Sequence, residues 1–65
     1  MPSSVIKFME YQEDSNTLKI TFQTGAVYHY YDVPEFVYIG LRQARSKGRY
    51  LNTQIVGQFP FKRLQ

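Results

Sequence analysis

Sixty-five residues leave room for one domain, residues 1–65, and for a core too small to stand beside a large cleft. The chain has no cysteine and a single histidine, His29, which argues against disulfides and metal, so stability must come from burying six tyrosines and five phenylalanines. The net charge of +3 is unevenly spread: residues 1–35 hold two lysines against five acids, whereas residues 36–65 hold six cations and no acid, a one-signed half that favours a polyanionic partner.

Val5 to Tyr11 is rich in β-branched and aromatic residues and predicts a first strand. Gln12 to Asn16 follows as a polar turn, with Asp14, Ser15 and Asn16 able to bond their own backbone. Thr17 to Gln23 then alternates cleanly. Leu18, Ile20 and Phe22 share one face, and Thr17, Lys19, Thr21 and Gln23 the other, as in a half-buried strand. Thr24-Gly25 is a tight-turn candidate, because glycine takes positive φ at no steric cost, and Ala26 to Tyr31 resumes as a third strand.

Asp32-Val33-Pro34-Glu35 changes the period. Asp32 or a neighbour suits the cap, Pro34 the first helical turn, and Glu35 the positive end of the helix dipole. Phe36, Val37, Gly40, Leu41 and Ala44 then form one apolar stripe at helical spacing, which should lie across the sheet. Ser46-Lys47-Gly48 interrupts this helix, with Gly48 suited to a C-terminal cap or a hinge. A shorter helical turn is expected through Tyr50–Ile55, ended by Gly57 and Pro60, and the aromatic tail Phe59-Pro60-Phe61 should pack back on the domain. The predicted fold class is α+β: a three-stranded antiparallel β-meander, then one main helix and a short second helical segment packed on the sheet.

Catalytic signatures are missing: there is no nucleophilic cysteine, Gly-x-Ser-x-Gly elbow, Walker loop or Gly-x-Gly-x-x-Gly turn. His29 would earn a catalytic reading only in a cleft beside a carboxylate. Glu10, Glu13 and Asp14 cluster around a hairpin turn, as solvated charges do. The expectation is a binding module that is not an enzyme and uses no cofactor and no metal. No stretch approaches the 18 apolar residues of a membrane span, and Met1-Pro2-Ser3-Ser4 lacks a secretion pattern, so a cytoplasmic protein with no membrane partner is expected.

Two segments are binding candidates. In Tyr28-His29-Tyr30-Tyr31, a two-residue loop at Thr24-Gly25 would put Tyr28 and Tyr30 on the outer face, as a platform for stacked bases beside Lys19. A three-residue loop, Thr24-Gly25-Ala26, would turn both rings into the core. The second candidate is the basic run Arg42, Arg45, Lys47 and Arg49 around Gly48, where cations suit phosphates and Tyr50 suits stacking; its bland alternative is a solvated helix face.

The order and spacing of Ser3-Ser4, Ile6, Tyr11, Leu18-x-Ile20-x-Phe22, Gly25, Tyr28-x-Tyr30, Val33-Pro34, Tyr38, Leu41, Ala44, Ser46-Lys47-Gly48, Tyr50-Leu51-Asn52 and Ile55 resemble the KTSC domain family, over about Ser3 to Phe61. The chain has Gln58-Phe59 where that family would place an arginine and a tyrosine. The resemblance implies a domain that occurs at the C-terminus of some lysyl-tRNA synthetases and as a stand-alone bacterial protein. That attachment suggests RNA binding. The leading expectation is thus a nucleic-acid-binding module for RNA or another single strand, with Arg42, Arg45, Lys47 and Arg49 on phosphates and Tyr28, Tyr30 or Tyr50 on bases. The alternative is a protein-interaction or homo-oligomerisation module, a monomer or weak homo-oligomer with a protein partner, drawing on the same aromatic residues, on the open edges of the three-stranded sheet and on the Phe59-Pro60-Phe61 tail.

Overall fold

The period-two segments become strands in a computed structural model that describes residues 5–65. Strands β1 (Ile6–Gln12), β2 (Thr17–Phe22) and β3 (Val27–Tyr30) run antiparallel in sequence order. Between β1 and β2, Asn16 turns the chain with φ 52°, a left-handed conformation that asparagine tolerates better than most residues. Between β2 and β3, Gly25 takes φ 94° while its N–H donates to the Phe22 carbonyl at 2.9 Å. Phe22 N–H in turn donates to Ala26 at 2.9 Å. The loop is therefore Gln23-Thr24-Gly25, three residues with glycine last, a common hairpin closure.

This closure pairs Ile20 with Tyr28 and Leu18 with Tyr30. Neither register expected from the sequence is realised, yet the parity is that of the longer loop, so both tyrosines share the face of Leu18 and Ile20. In β1 the register shifts between Ile6 and Phe8. A bulge of this kind turns the strand over: Ile6 is buried with the core while Phe8 stands 61% exposed on the opposite face.

The sheet has four strands, not the three expected. β4 (Phe61–Arg63) pairs antiparallel with β3, matching Tyr30 with Phe61, His29 with Lys62 and Tyr28 with Arg63. Tyr31 N–H donates to the Pro60 carbonyl at 2.8 Å, and Leu64 N–H to Val27 at 2.7 Å. Pro60 lacks an N–H, so it suits the entry to an edge strand. The tail does pack back, and it does so by backbone pairing as well as by its rings.

Helix α1 (Glu35–Gln43) is preceded by Pro34 as its cap residue, and Asp32 instead takes a left-handed turn at φ 60°. The apolar stripe is narrower than expected. Val37 and Leu41 are buried, but Phe36 is 74% exposed, because successive helical residues lie about 100° apart and Val37 and Leu41, one turn apart, define the buried row. Helix α2 (Lys47–Tyr50) begins one turn earlier than expected and runs on into a π-helical turn, Leu51–Ile55. Val56 N–H donates to Leu51 at 2.9 Å to close it. Gly48 is thus a buried member of α2, neither a cap nor a hinge.

Leu18, Ile20, Val33, Leu41 and Ile55 are fully buried and form the centre of the core with Ile6, Tyr30, Val37 and Leu51. Both helical segments bury against this one face of the sheet. The opposite face carries Phe8, Lys19, His29 and Lys62, and among the described residues no helix packs over it.

Candidate functional site

The basic run bridges α1 and α2. Arg42 lies in the last turn of α1, where a cation complements the helix dipole. Its guanidinium sits 5.6 Å over the Tyr38 ring, which stacks on Tyr11 at 5.0 Å and 14°. The Tyr11 hydroxyl donates to the Val33 carbonyl at 2.6 Å and lies 3.1 Å from Asn16 Oδ1. Burial, then Glu35 and Glu13, holds that hydroxyl above its usual range, which keeps it a donor. Arg42 therefore stands on a braced aromatic pair.

Arg45 and Arg49 are exposed and line a shallow hollow of about 350 Å³ with Tyr50, Thr53 and Gln54. Lys47 is half-buried, and its Nζ donates to the Ala44 carbonyl at 3.3 Å, so it ties down the end of α1. Arg49 N–H donates to Ser46 Oγ at 3.3 Å, capping α2. Among the described residues the ion pair is Lys19 with Glu10, at 3.8 Å. Among the described residues no carboxylate pairs with Arg42, Arg45 or Arg49.

The three tyrosines separate. Tyr30 is 4% exposed and belongs to the core; burial, then Tyr28, raises its hydroxyl above the usual value. A ring so placed offers no face to a base. Tyr50 lies against α1 at Gly40, where an added Cβ would meet its hydroxyl and stand 2.8 Å from its Cζ. Its ring packs one helix on the other and edges the hollow beside Arg49. Tyr28 is half-buried and opens into a groove of about 510 Å³ between the end of the sheet and the π-helical turn.

Two further residues line this groove: Phe61, expected from the sequence only as part of a tail that packs back, and Arg63, which was not among the site candidates. Phe61 is 58% exposed and stacks on Tyr28 at 5.6 Å and 28°, and the Arg63 guanidinium lies 5.9 Å from the Tyr28 ring centre. The available signal was the alternation of ring and cation after Pro60, too short to read as a strand.

On the open sheet face, His29 meets the edge of Tyr31 at 6.3 Å, and its Nε2 is buried without a hydrogen-bond partner. A hollow of about 90 Å³ lies beside it, lined by Glu10, Gln12, Thr17 and Lys19. A histidine beside a carboxylate is the arrangement a base would need. This hollow is well below the roughly 300 Å³ of small ligand sites, and Glu10 is engaged by Lys19. Among the described residues no cluster of three or more metal-ligating side chains occurs, and no helix is long and apolar enough to cross a membrane.

A model of the KTSC domain family matches residues 2–59. A lysine–tRNA ligase of Nostoc punctiforme is 44% identical over 61 residues, covering 94% of this chain and 11% of the ligase, and a ligase of another Nostoc species is 39% identical over the same shares. The chain thus spans about a tenth of these relatives. A protein of Tsukamurella paurometabola is 37% identical over 88% of the chain and 85% of its own length. Among solved structures, a KTSC domain protein from Yersinia pestis superimposes with a TM-score of 0.92 at 32% identity, covering 100% of this chain and 92% of that one.

Proposed function

The chain belongs to the KTSC domain family, and on that premise we propose that it is a non-catalytic RNA-binding module acting in the cytoplasm. One observation carries the reading: Arg42, Arg45 and Arg49 stand exposed on one continuous segment with no carboxylate partner among the described residues. Cations left unpaired in this way suit the phosphates of a polyanion. The relatives' name adds the class of polyanion, since lysine–tRNA ligases act on tRNA and carry a segment similar to this whole domain.

In this reading Arg42, Arg45 and Arg49 meet phosphates. Lys47 adds positive potential while it holds the end of α1. Tyr28 is the tyrosine placed to meet a base, and Tyr30 and Tyr50 serve by fixing the sheet and the helix pair beneath it. Fluorescence anisotropy with short single-stranded RNA, single-stranded DNA and duplexes at two salt concentrations tests the proposal. Neutralising Z phosphates of a single strand gives a log–log salt slope of about −0.7Z. Replacing both Arg45 and Arg49 by glutamine should then shallow the slope by about 1.4. An absence of binding to any of these at about 50 mM salt overturns the reading.

A further inference from the structure

We infer that the groove between β4 and the π-helical turn is a site for one unstacked nucleobase together with its attached phosphate. The inference rests on the RNA reading for the class of ligand, and on different residues for its geometry.

An aromatic cluster in a small domain is ordinarily closed over by another element. Here Phe22, Tyr28, Tyr30 and Phe61 form a continuous array, with Phe22 edge-on to Tyr28 at 5.6 Å and Tyr30 stacked on Tyr28 at 6.1 Å and 18°. Tyr30 closes the array at its buried end, whereas Phe22 and Tyr28 are half-buried and the outer end is left open: Val56, on the opposite wall, is 45% exposed and Phe61 58%. What remains is an aromatic shelf facing a short apolar wall. The space of about 510 Å³ falls within the roughly 300–1,000 Å³ of ligand sites.

The rim is polar and carries one sign of charge. Arg63 Nε donates to the Gln65 backbone oxygen at 3.0 Å, which orients the guanidinium and leaves its terminal N–H groups for a ligand. No acid lines the groove, whereas Asn52 and Thr24 do. An amide both donates and accepts, as the edge of a base requires. A purely apolar occupant would strip water from Arg63 without replacing it, and a basic peptide would meet the same cation. A flat ring bearing an anion satisfies shelf, rim and charge together. The sequence brings these groups together only through the β3–β4 pairing, which sets Arg63 opposite Tyr28.

The test is an amide chemical-shift titration of the intact chain with adenosine 5′-monophosphate, adenosine, inorganic phosphate and N-acetylphenylalanine. The monophosphate should move the resonances of Tyr28, Asn52, Phe61 and Arg63, and bind at least tenfold more tightly than adenosine or phosphate alone. Phe61→Ala should weaken it about tenfold or more, the range expected for one stacked base. Asn52→Asp adds an acid at an exposed position outside the core, and should weaken it equally with circular dichroism and melting temperature unchanged. N-acetylphenylalanine binding more tightly than the monophosphate overturns the inference in favour of a peptide. If single-stranded RNA binds and Arg45→Gln weakens it, while Phe61→Ala and Asn52→Asp do not and the monophosphate leaves the groove unmoved, the groove fails and the RNA reading stands. If the monophosphate binds the groove but RNA of any length binds no more tightly, the groove stands and the RNA reading fails.

Discussion

At Gly40 the lack of a side chain is what lets Tyr50 lie across α1. A methyl group there would stand 2.8 Å from the Tyr50 ring, so the ring must shift and the hollow beside Arg49 must change shape with it. Gly40→Ala is expected to destabilise the fold by about 1–3 kcal/mol, as overpacked sites do, despite alanine's better helix propensity; denaturant unfolding reads it, and an unchanged midpoint refutes the contact. Tyr30 offers a pH test. Burial, then Tyr28, raises its hydroxyl above the usual value of 10.0, so the fold favours the neutral form. That stability is fully present below about pH 10 and is lost as pH rises through the unfolded value toward the folded one. Tyr30→Phe should therefore retain its unfolding midpoint better than the parent between pH 9 and pH 11, roughly the range in which tyrosine ionises. Parallel decline of the two curves contradicts the assignment. Among residues, the legible feature was that Tyr28 and Tyr30 share a face. Which face depended on a turn that begins at Gln23, one position before the Thr24 at which either expected loop begins.

The elements differ in how strongly each is held. β2 is paired on both sides and contains Leu18 and Ile20, both fully buried; β4 is three residues long and exposed throughout. Amide exchange should accordingly be slowest in β2 and much faster at the β3–β4 pairing, because edge pairing with little apolar cover opens locally. Equal protection in the two would show that β4 is integral to the cooperative unit. This contrast also accounts for what the chain reveals of itself. β2 alternates over its whole length and reads directly as a strand, while β4 has three residues after a proline and forms because β3 offers a free edge. In α1, Val37 and Leu41 were recognisable as core. Phe36 was not recognisable as exposed, because a periodic stripe does not state where its centre lies. The π-helical turn has no sequence signature at all. It widens the helix at Leu51–Ile55, where Leu51 and Ile55 both reach the core.

For the molecule as a whole, the division of charge survives folding. Among the described residues the cations of residues 42–49 pair with no acid in space, just as the sequence sets none among them. Since Arg45 and Arg49 make no ion pair, replacing both by glutamine should leave stability within about 0.5 kcal/mol and lower RNA affinity together with its salt dependence. A melting temperature that falls along with affinity would assign these residues to the fold. Composition and alternation by themselves determined the α+β class, the central hairpin partner β2 and the uncompensated basic segment, because each follows from local periodicity or a simple sum of charges; the aromatic core expected from composition is instead aliphatic, with Tyr30 its buried ring among the described residues. Only tertiary structure decided the fourth strand, the burial of Tyr30, the placing of Tyr50 against Gly40 and the groove that joins Tyr28, Phe61 and Arg63. The fourth strand and the groove depend on pairing between β3 and the distant β4, and the burial of Tyr30 on the β2–β3 register, where hydrogen-bond register rather than any local preference sets which side chains meet; Tyr50 meets Gly40 only because the two helices pack on each other.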